Sequence, residues 1–176
     1  RFYQSTDSLT TDKMVVYNYV EQAWSISDLA RDAWDDAAAA SDLPIAVKST
    51  DSVGYIFNHE TGFDDDGSAI TAFIETADFD IADGDSFAFV RRLLPDAAFV
   101  GTSSSPSLTY SLKSRNNTDG TIATESTVDV SPTTDFAISN VRARARQMRI
   151  RVESTDLENG WRLGDVRLDV RQDGRR

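Results

Sequence analysis

The segment from residue 141 to residue 152 constrains the fold most, because arginine alternates with apolar residues along it. Side chains of a strand point alternately to its two faces, so this pattern predicts a strand with one cationic face. The alternation reverses at Gln147, and a reversal requires a bulge, a kink or a tight turn near Arg146 and Gln147. The arginines concerned are Arg142, Arg144, Arg146, Arg149 and Arg151.

A second reversal of the same kind lies across Gly164 and Asp165. Before it, Trp161 and Leu163 occupy alternate positions that would point to one face of a strand. After it, the apolar residues of the segment 166–170 occupy the positions that would point to the other face. Two reversals this close together predict sharply bent strands that pass from one sheet to another.

The rest of the chain also has the features of short strands. Runs rich in β-branched and aromatic residues recur at intervals of about 8–12 residues and are separated by turn signals such as Asp83-Gly84 and Asp119-Gly120. This pattern predicts an all-β chain, as an antiparallel sandwich, a barrel or part of a propeller. No clean internal repeat is visible, so a complete propeller is not expected within 176 residues.

One segment is an exception to the strand pattern. Its alanines and its two larger apolar residues, Leu29 and Trp34, follow helical spacing, and Leu43-Pro44 provides a stop signal. The spacing predicts one short helix near residues 28–40. A strand followed by a loop is the alternative, because tertiary context can override propensity.

The composition excludes several kinds of site. The chain has no cysteine, so disulfides, cysteine-ligated metals and thiol nucleophiles are excluded. It has a single histidine, His59, which rules out a multi-histidine metal site. A catalytic role for His59 beside Glu60 is possible in principle, but a structural role is the favoured interpretation. No catalytic, cofactor-binding or metal-binding residue is predicted.

The charge is distributed unevenly along a chain whose net charge is −11. Residues 1–90 carry 4 basic and 18 acidic side chains, whereas residues 91–176 carry 14 basic and 11 acidic ones. The acidic half would repel phosphate, so it is not a DNA grip. The consecutive acids Asp64, Asp65 and Asp66 before Gly67 could bind Ca²⁺, but a solvated turn is favoured because an EF-hand alternates its ligands.

The five arginines of the segment 141–152 have two interpretations. They could contact nucleic acid, but no aromatic residues lie between them as a stacking platform requires. Arginine also forms bidentate pairs with carboxylates, and the chain has an acidic half that could meet the basic half of a neighbour. We therefore favour Arg142, Arg144, Arg146, Arg149 and Arg151 as subunit-interface residues.

Several segments together resemble one family. They are VRARARQMRIRVES (141–154), GWRLG (160–164), RLDVRQDGRR (167–176), VYNYVEQAW (16–24), YIFNHETGFDDDG (55–67), ADFDIADGD (77–85) and FVRRLLPD (89–96). In these segments the chain resembles the C-terminal part of tail hub or nozzle proteins of tailed bacteriophages, in particular short-tailed ones. Residues 100–140 carry the least of this resemblance.

The resemblance implies a non-enzymatic structural protein of the virion. Such proteins form a ring, usually a hexamer, that extends the tail channel, retains packaged DNA and lets it pass at ejection without sequence-specific binding. Adaptor and portal-side tail proteins are the expected partners, and tail fibre proteins are further candidates. No cofactor and no membrane binding by this segment are expected.

The resemblance also implies a domain organisation. Residues 1–62 are expected to be a propeller-blade-like β segment, residues 63–176 a C-terminal antiparallel β-domain, and the chain a fragment of a longer protein.

Two other function classes stay open. A carbohydrate- or receptor-binding β-module of a phage tail would need exposed aromatic residues beside carboxylates. The only tryptophans are Trp24, Trp34 and Trp161, and their patterned segments predict that they are buried. A glycan-degrading tail enzyme would need two carboxylates that converge in a groove.

Overall fold

The computed structural model describes residues 2–3, 6, 10–36, 42–50, 52–81, 84–117, 119–132 and 138–174. The prediction of an all-β fold is confirmed, because the described residues form antiparallel strands and no α-helix. The chain divides into two compact units, an N-terminal unit from Arg1 to Thr61 and a C-terminal unit from Gly62 to Arg176.

The N-terminal unit consists of two three-stranded antiparallel sheets. The first has the order β1-β2-β3 and the second has the order β4-β5-β6, so each sheet is a meander of consecutive strands. The strands are β1 (Phe2–Tyr3), β2 (Lys13–Asn18), β3 (Ala23–Ser27), β4 (Ala33–Asp35), β5 (Ile45–Ser49) and β6 (Gly54–Asn58).

The helix predicted near residues 28–40 is wrong for the part of this segment that the structure describes. Ala33–Asp35 is strand β4, and Trp34 lies opposite Ala46 of strand β5. The Trp34 ring also packs against the imidazole of His59, with 4.7 Å between their centroids. Pairing with β5 and this ring contact override the helical spacing. Residues 37–41 lie outside the described residues.

The C-terminal unit contains twelve of the described strands. They are β7 (Asp64–Asp65), β8 (Ser68–Ala69), β9 (Ala72–Glu75), β10 (Phe79–Asp80), β11 (Ala88–Leu94), β12 (Ala97–Gly101), β13 (Leu108–Arg115), β14 (Ala123–Val130), β15 (Ser139–Ala145), β16 (Gln147–Ser154), β17 (Asn159–Leu163) and β18 (Arg167–Gln172).

These strands build a sandwich-like arrangement of two main sheets. In the five-stranded sheet, β16 pairs with β13 on one side and with both β9 and β10 on the other, and β14 pairs with β13. The three-stranded sheet has the order β15-β11-β18. Alternate residues of both sheets point into one apolar core. The core residues are Ala88, Val90, Leu93, Leu108, Tyr110, Leu112, Val130, Val141, Ala143, Ala145, Met148, Ile150 and Val152, with Ala97 beside them.

The bend predicted near Arg146 and Gln147 is confirmed. Strand β15 ends at Ala145 in the three-stranded sheet, and β16 begins at Gln147 in the five-stranded sheet. The chain therefore crosses between sheets at Arg146, whose Nη1 donates a hydrogen bond of 2.9 Å to the carbonyl oxygen of Gly84. The reversal of parity keeps the apolar residues of both strands in the core.

The second predicted change of sheet is also confirmed. Strand β17 pairs with β12, whereas β18 pairs with β11. The crossing is fixed by Asp96, because its backbone oxygen accepts a hydrogen bond from Gly164 N at 2.9 Å and its carboxylate accepts one from Asp165 N at 3.1 Å. A Cβ atom at position 164 would lie 2.5 Å from the Asp96 carboxylate, so glycine suits this close approach.

Candidate interaction surfaces

The five predicted interface arginines are divided between two faces of the sandwich. Arg142 and Arg144 lie on strand β15 of the three-stranded sheet, whereas Arg149 and Arg151 lie on β16 of the five-stranded sheet. All four point away from the core, because Ala143 and Ile150 between them are buried. The crossing at Arg146 thus separates what looks like one cationic stripe in the sequence.

On the outer face of the five-stranded sheet, Arg149 and Arg151 belong to a network of ion pairs. Arg149 contacts Asp78 through two hydrogen bonds, of 2.7 and 3.0 Å, and its Nη1 lies 2.9 Å from Oε1 of Glu75. Arg151 donates to Glu153 at 2.8 Å. The members of this ion-pair network are Glu75, Asp78, Lys113, Arg115, Arg149, Arg151 and Glu153.

The network stabilises the ionised form of its carboxylates. Hydrogen bonds from Lys113, then from Arg149, lower the pKa of Glu75 to about 2, and a hydrogen bond from Arg149 is the main cause of the lowered pKa of Asp78. The pKa of Arg149 is raised, chiefly by its hydrogen bonds to the same two acids. Four cations thus face three carboxylates in this network.

This pairing affects two of the predicted interface residues. The side chains of Arg149 and Arg151 are 20% and 19% exposed, and their guanidinium groups already bind carboxylates of the same chain. A partner's acids would have to compete with these internal partners. An interface role for Arg149 and Arg151 stays a prediction.

The outer face of the three-stranded sheet carries a different cationic surface. Arg144, Phe89 and Arg171 lie in one row across the sheet, and a bulge between Val90 and Arg92 adds Arg91 to the middle strand. We call this surface the arginine face. It comprises Arg91, Arg92, Arg142, Arg144, Arg167 and Arg171.

Few acids balance the arginine face. Arg144 donates to Asp173 through Nε at 2.5 Å, and Asp169 lies opposite Arg92. Counted over the residues that the structure describes, six arginines and these two aspartates give a formal excess of four positive charges. Among the residues that the structure describes, Arg142 is exposed, and its side chain makes no hydrogen bond or ion pair.

Sequence reasoning missed four members of the arginine face. Arg167 and Arg171 alternate with the apolar Leu168 and Val170, so a period of two was visible in that segment. The pairing of β11 with both β15 and β18 places these arginines beside Arg142 and Arg144. Nothing local in the sequence specifies that pairing.

The first sheet of the N-terminal unit has an exposed apolar face. Val15 lies opposite Ile26, and Tyr17 lies opposite Trp24, so these four side chains share one face. The rings of Tyr17 and Trp24 are 4.5 Å apart. Trp24 is 68% exposed and Ile26 is 70% exposed. The prediction that Trp24 is buried is therefore wrong for this sheet, because none of the described residues covers its ring.

The second sheet of the N-terminal unit is also incompletely covered. Val47 and Ile56 share a face with Ala33, and Ile56 is 74% exposed. Ala46 is the only fully buried apolar residue among the described residues of this unit. Such exposed apolar area is typical of a surface that another protein covers.

His59 has a structural role on the inner face of this second sheet. Its Nε2 accepts a hydrogen bond of 3.0 Å from Nε of the buried Arg31, whose guanidinium group lies 4.3 Å from the centre of the Phe57 ring. The nitrogen that a general base would use is therefore occupied. The geometry does not support catalysis by His59 and Glu60.

The consecutive aspartates form a tight hairpin. Asp64 and Asp65 lie in strand β7, and Asp66 and Gly67 form the turn with φ angles of 51° and 81°. Both positive angles match a type I′ turn. Within the described ranges, no group of three or more His, Cys, Asp or Glu residues could hold a metal ion.

The C-terminal unit also has an open apolar groove with a volume of about 680 Å³. Phe63 packs on Gly160 at one wall, where an added Cβ would lie 2.4 Å from the Phe63 ring. Arg162 also lines the groove. The apolar lining residues are Phe63, Ile70, Phe73, Ile74, Val100, Trp161 and Leu163.

Comparison with protein-family models and with curated proteins gives no match for this chain. Among the residues that the structure describes, no helix has the length and apolar character needed to cross a membrane. Three surfaces of the molecule are therefore candidates for a function, namely the arginine face, the exposed apolar sheets and the apolar groove.

Proposed function

We propose that this chain is a structural subunit of a bacteriophage tail nozzle or hub, in which copies form a ring that extends the tail channel. One observation carries the proposal, namely that the chain combines a cationic face on its C-terminal unit with an N-terminal unit of opposite net charge. The arginine face has an excess of four positive charges, whereas the N-terminal unit, from Arg1 to Thr61, has 10 acidic and 4 basic residues.

Complementary surfaces on one chain suit a ring. A contact between two different surfaces of identical subunits is heterologous, and such contacts close into a ring when the rotation allows it. The exposed apolar faces around Trp24 and Ile56 add area that a neighbour would cover. The arginine face binds acids of the next subunit or of an adaptor or portal-side protein, and tail fibre proteins are further candidate partners.

The two meanders of the N-terminal unit support its assignment to a propeller. Consecutive antiparallel strands that form one small sheet after another resemble the connectivity of propeller blades, of which each sheet here has three of the usual four strands. In this proposal the apolar faces of Trp24 and Ile56 pack against a neighbouring subunit. The C-terminal unit is the accessory β-domain of the same ring.

The acidic excess gives the ring a mechanism for DNA passage. Carboxylates that line the channel repel phosphate, so DNA is retained and released without sequence-specific binding. Such a subunit works in the virion as a structural part, without catalysis.

The test measures assembly directly. The mass of the full chain is determined by light scattering, its shape by negative-stain imaging, and its presence by immunogold labelling of virions of the encoding phage. A ring, or label below the portal, supports the proposal. A monomer that is also absent from virions refutes it.

Variants of the arginine face test the observation that carries the proposal. A triple change of Arg91, Arg142 and Arg167 to alanine removes three exposed cations that do not pack in the core. We expect the alanine variant to assemble more weakly than the wild-type chain. A matched triple change to lysine keeps the charge, so it should retain most of the assembly. Assembly of the alanine variant at the wild-type concentration would refute the role of this face.

A second candidate function has one observation in its favour. The exposed, adjacent rings of Tyr17 and Trp24, which are tilted by 32° to each other, form an aromatic surface on which a sugar ring could stack. The chain would then be a carbohydrate- or receptor-binding module of a phage tail. Titration with oligosaccharides, followed by tryptophan fluorescence, tests this function, and Trp24→Ser should abolish the response.

A further inference from the structure

The apolar groove has the features of a site for a projecting apolar side chain. Its volume of about 680 Å³ is within the range of ligand-binding clefts. Phe73 and Ile74 are 55% and 49% exposed along it, so apolar area in the groove remains open to solvent. Arg162 is the charged residue of the groove lining, and its guanidinium group is exposed. An occupant should therefore combine apolar side chains with one acid.

Among the described residues, the turn between β2 and β3 has this composition. Tyr19 and Val20 are 80% and 77% exposed, and Glu21 follows them directly. We call residues 19–21 the hairpin tip. It projects two apolar side chains and one carboxylate from a sheet that is only three strands wide.

The hairpin tip is held in shape by hydrogen bonds within its own turn. Oδ1 of Asn18 accepts hydrogen bonds from the backbone N of Val20 at 3.0 Å and of Glu21 at 3.2 Å. Gln22 completes the turn with a φ angle of 54°. A preformed tip loses little conformational entropy on binding, which favours association.

We propose that the hairpin tip of one copy of the chain inserts into the apolar groove of a second copy. Tyr19 and Val20 enter the groove, and Glu21 pairs with Arg162. The inference rests on the proposed function, because it identifies the contact between two copies of the ring.

The charges favour a second copy as the occupant. The tip carries a carboxylate and belongs to the acidic N-terminal unit, whereas Arg162 lines the groove and Arg151 lies 3.7 Å from the centre of the Phe73 ring. Tyr19 and Val20 are exposed in the single chain, so their burial requires a further surface. Tip and groove are different surfaces, so the contact is heterologous and suits a ring.

The first experiment uses the absence of native cysteines. In the full-length chain, Val20→Cys is combined with Ile70→Cys in the groove, and the protein is oxidised and separated by non-reducing electrophoresis. A ladder of covalent dimers and larger species is expected. The control pairs Val20→Cys with Thr127→Cys, an exposed residue of β14 that does not line the groove, and should give no ladder. A cross-link within one chain, or no cross-link, overturns the inference.

The second experiment exchanges charges. Glu21→Arg and Arg162→Glu should each weaken association by about tenfold, and the double variant should recover most of the loss, because the pair is restored with opposite polarity. Val20→Asp should weaken association by about 10- to 100-fold, since an apolar side chain no longer leaves water. All of these positions are exposed, so the variants should fold.

The two proposals fail in different ways. If wild-type rings form but the cysteine pair gives no ladder and Val20→Asp assembles normally, the inference fails while the proposed function stands. If the wild-type chain forms no ring and is absent from virions, yet the ladder appears, the tip–groove contact stands and the nozzle function fails.

Discussion

Replacing Glu75 by glutamine should destabilise the C-terminal unit by removing one of three carboxylates from the ion-pair network. Glu75 accepts hydrogen bonds from Lys113 Nζ at 2.9 Å and from Arg149 Nη1 at 2.9 Å. In Glu75→Gln, four cations face only two carboxylates, and like charges repel one another on the outer face of the sheet.

The magnitude follows from the burial of the Glu75 side chain, which is 20% exposed. An exposed ion pair contributes at most about 1 kcal/mol. Removal of one partner from a buried pair costs about 3–5 kcal/mol. For a carboxylate that is mostly but not fully buried, we expect the free energy of unfolding to fall by about 2 kcal/mol.

The assay is urea denaturation of the full chain, followed by far-ultraviolet circular dichroism. Asp165→Asn is the matched control, because it makes the same chemical change at an exposed position of the same unit. The control should change the free energy of unfolding by less than about 0.5 kcal/mol. If Glu75→Gln and Asp165→Asn are equally stable, the network does not stabilise the unit and the reasoning is wrong.

The same network predicts how stability depends on pH. The pKa of Glu75 is lowered from 4.5 to about 2 in the folded chain, and the pKa of Asp78 is lowered too. A carboxyl whose pKa is lower in the folded state contributes stability above its unfolded pKa and loses it as the pH falls through the folded value. Wild-type stability should therefore fall between about pH 4.5 and pH 2, and Glu75→Gln should show a shallower fall. Parallel curves for the two proteins would contradict this.

Two further predictions concern other parts of the chain. Gly101→Ala should cost about 2–3 kcal/mol of stability, because a Cβ at this position, where φ is 116°, would lie 2.4 Å from the backbone oxygen of Glu158. The control Gly54→Ala should cost less than about 1 kcal/mol, because a Cβ there would have nothing within 4 Å. Denaturation curves of the two variants that coincide would refute this prediction. Replacement of both Trp24 and Ile26 by serine should leave the stability of the monomer nearly unchanged and reduce self-association in sedimentation velocity. Unchanged or stronger association would refute an interface at this face.

The bends of the C-terminal unit could be predicted from the sequence because they depend on local periodicity. A strand that crosses between two sheets must reverse its parity to keep apolar side chains in the core. The segment around Gln147 and the segment around Gly164 show this reversal within a few residues. Both crossings lie where the pattern changes.

Features that depend on distant pairing could not be predicted. Arg149 binds Glu75 and Asp78, which lie 74 and 71 residues away in the chain. These side chains meet only because β9 and β10 pair with β16. The strand at Ala33–Asp35 likewise depends on its pairing with β5, against its own helical spacing. The exposure of Trp24 depends on the number of layers, which strand periodicity does not report.

The crossing at Arg146 links the fold to the proposed assembly. Because the chain changes sheet there, Arg142 and Arg144 lie on one outer face of the sandwich and Arg149 and Arg151 on the other. Carboxylates delivered by β9 and by the loop after it bind the arginines of the second face and reduce its positive charge. The first face keeps its excess charge, so an acidic partner is attracted to one side of the unit only. That asymmetry is what a subunit needs to join its neighbours in a single orientation.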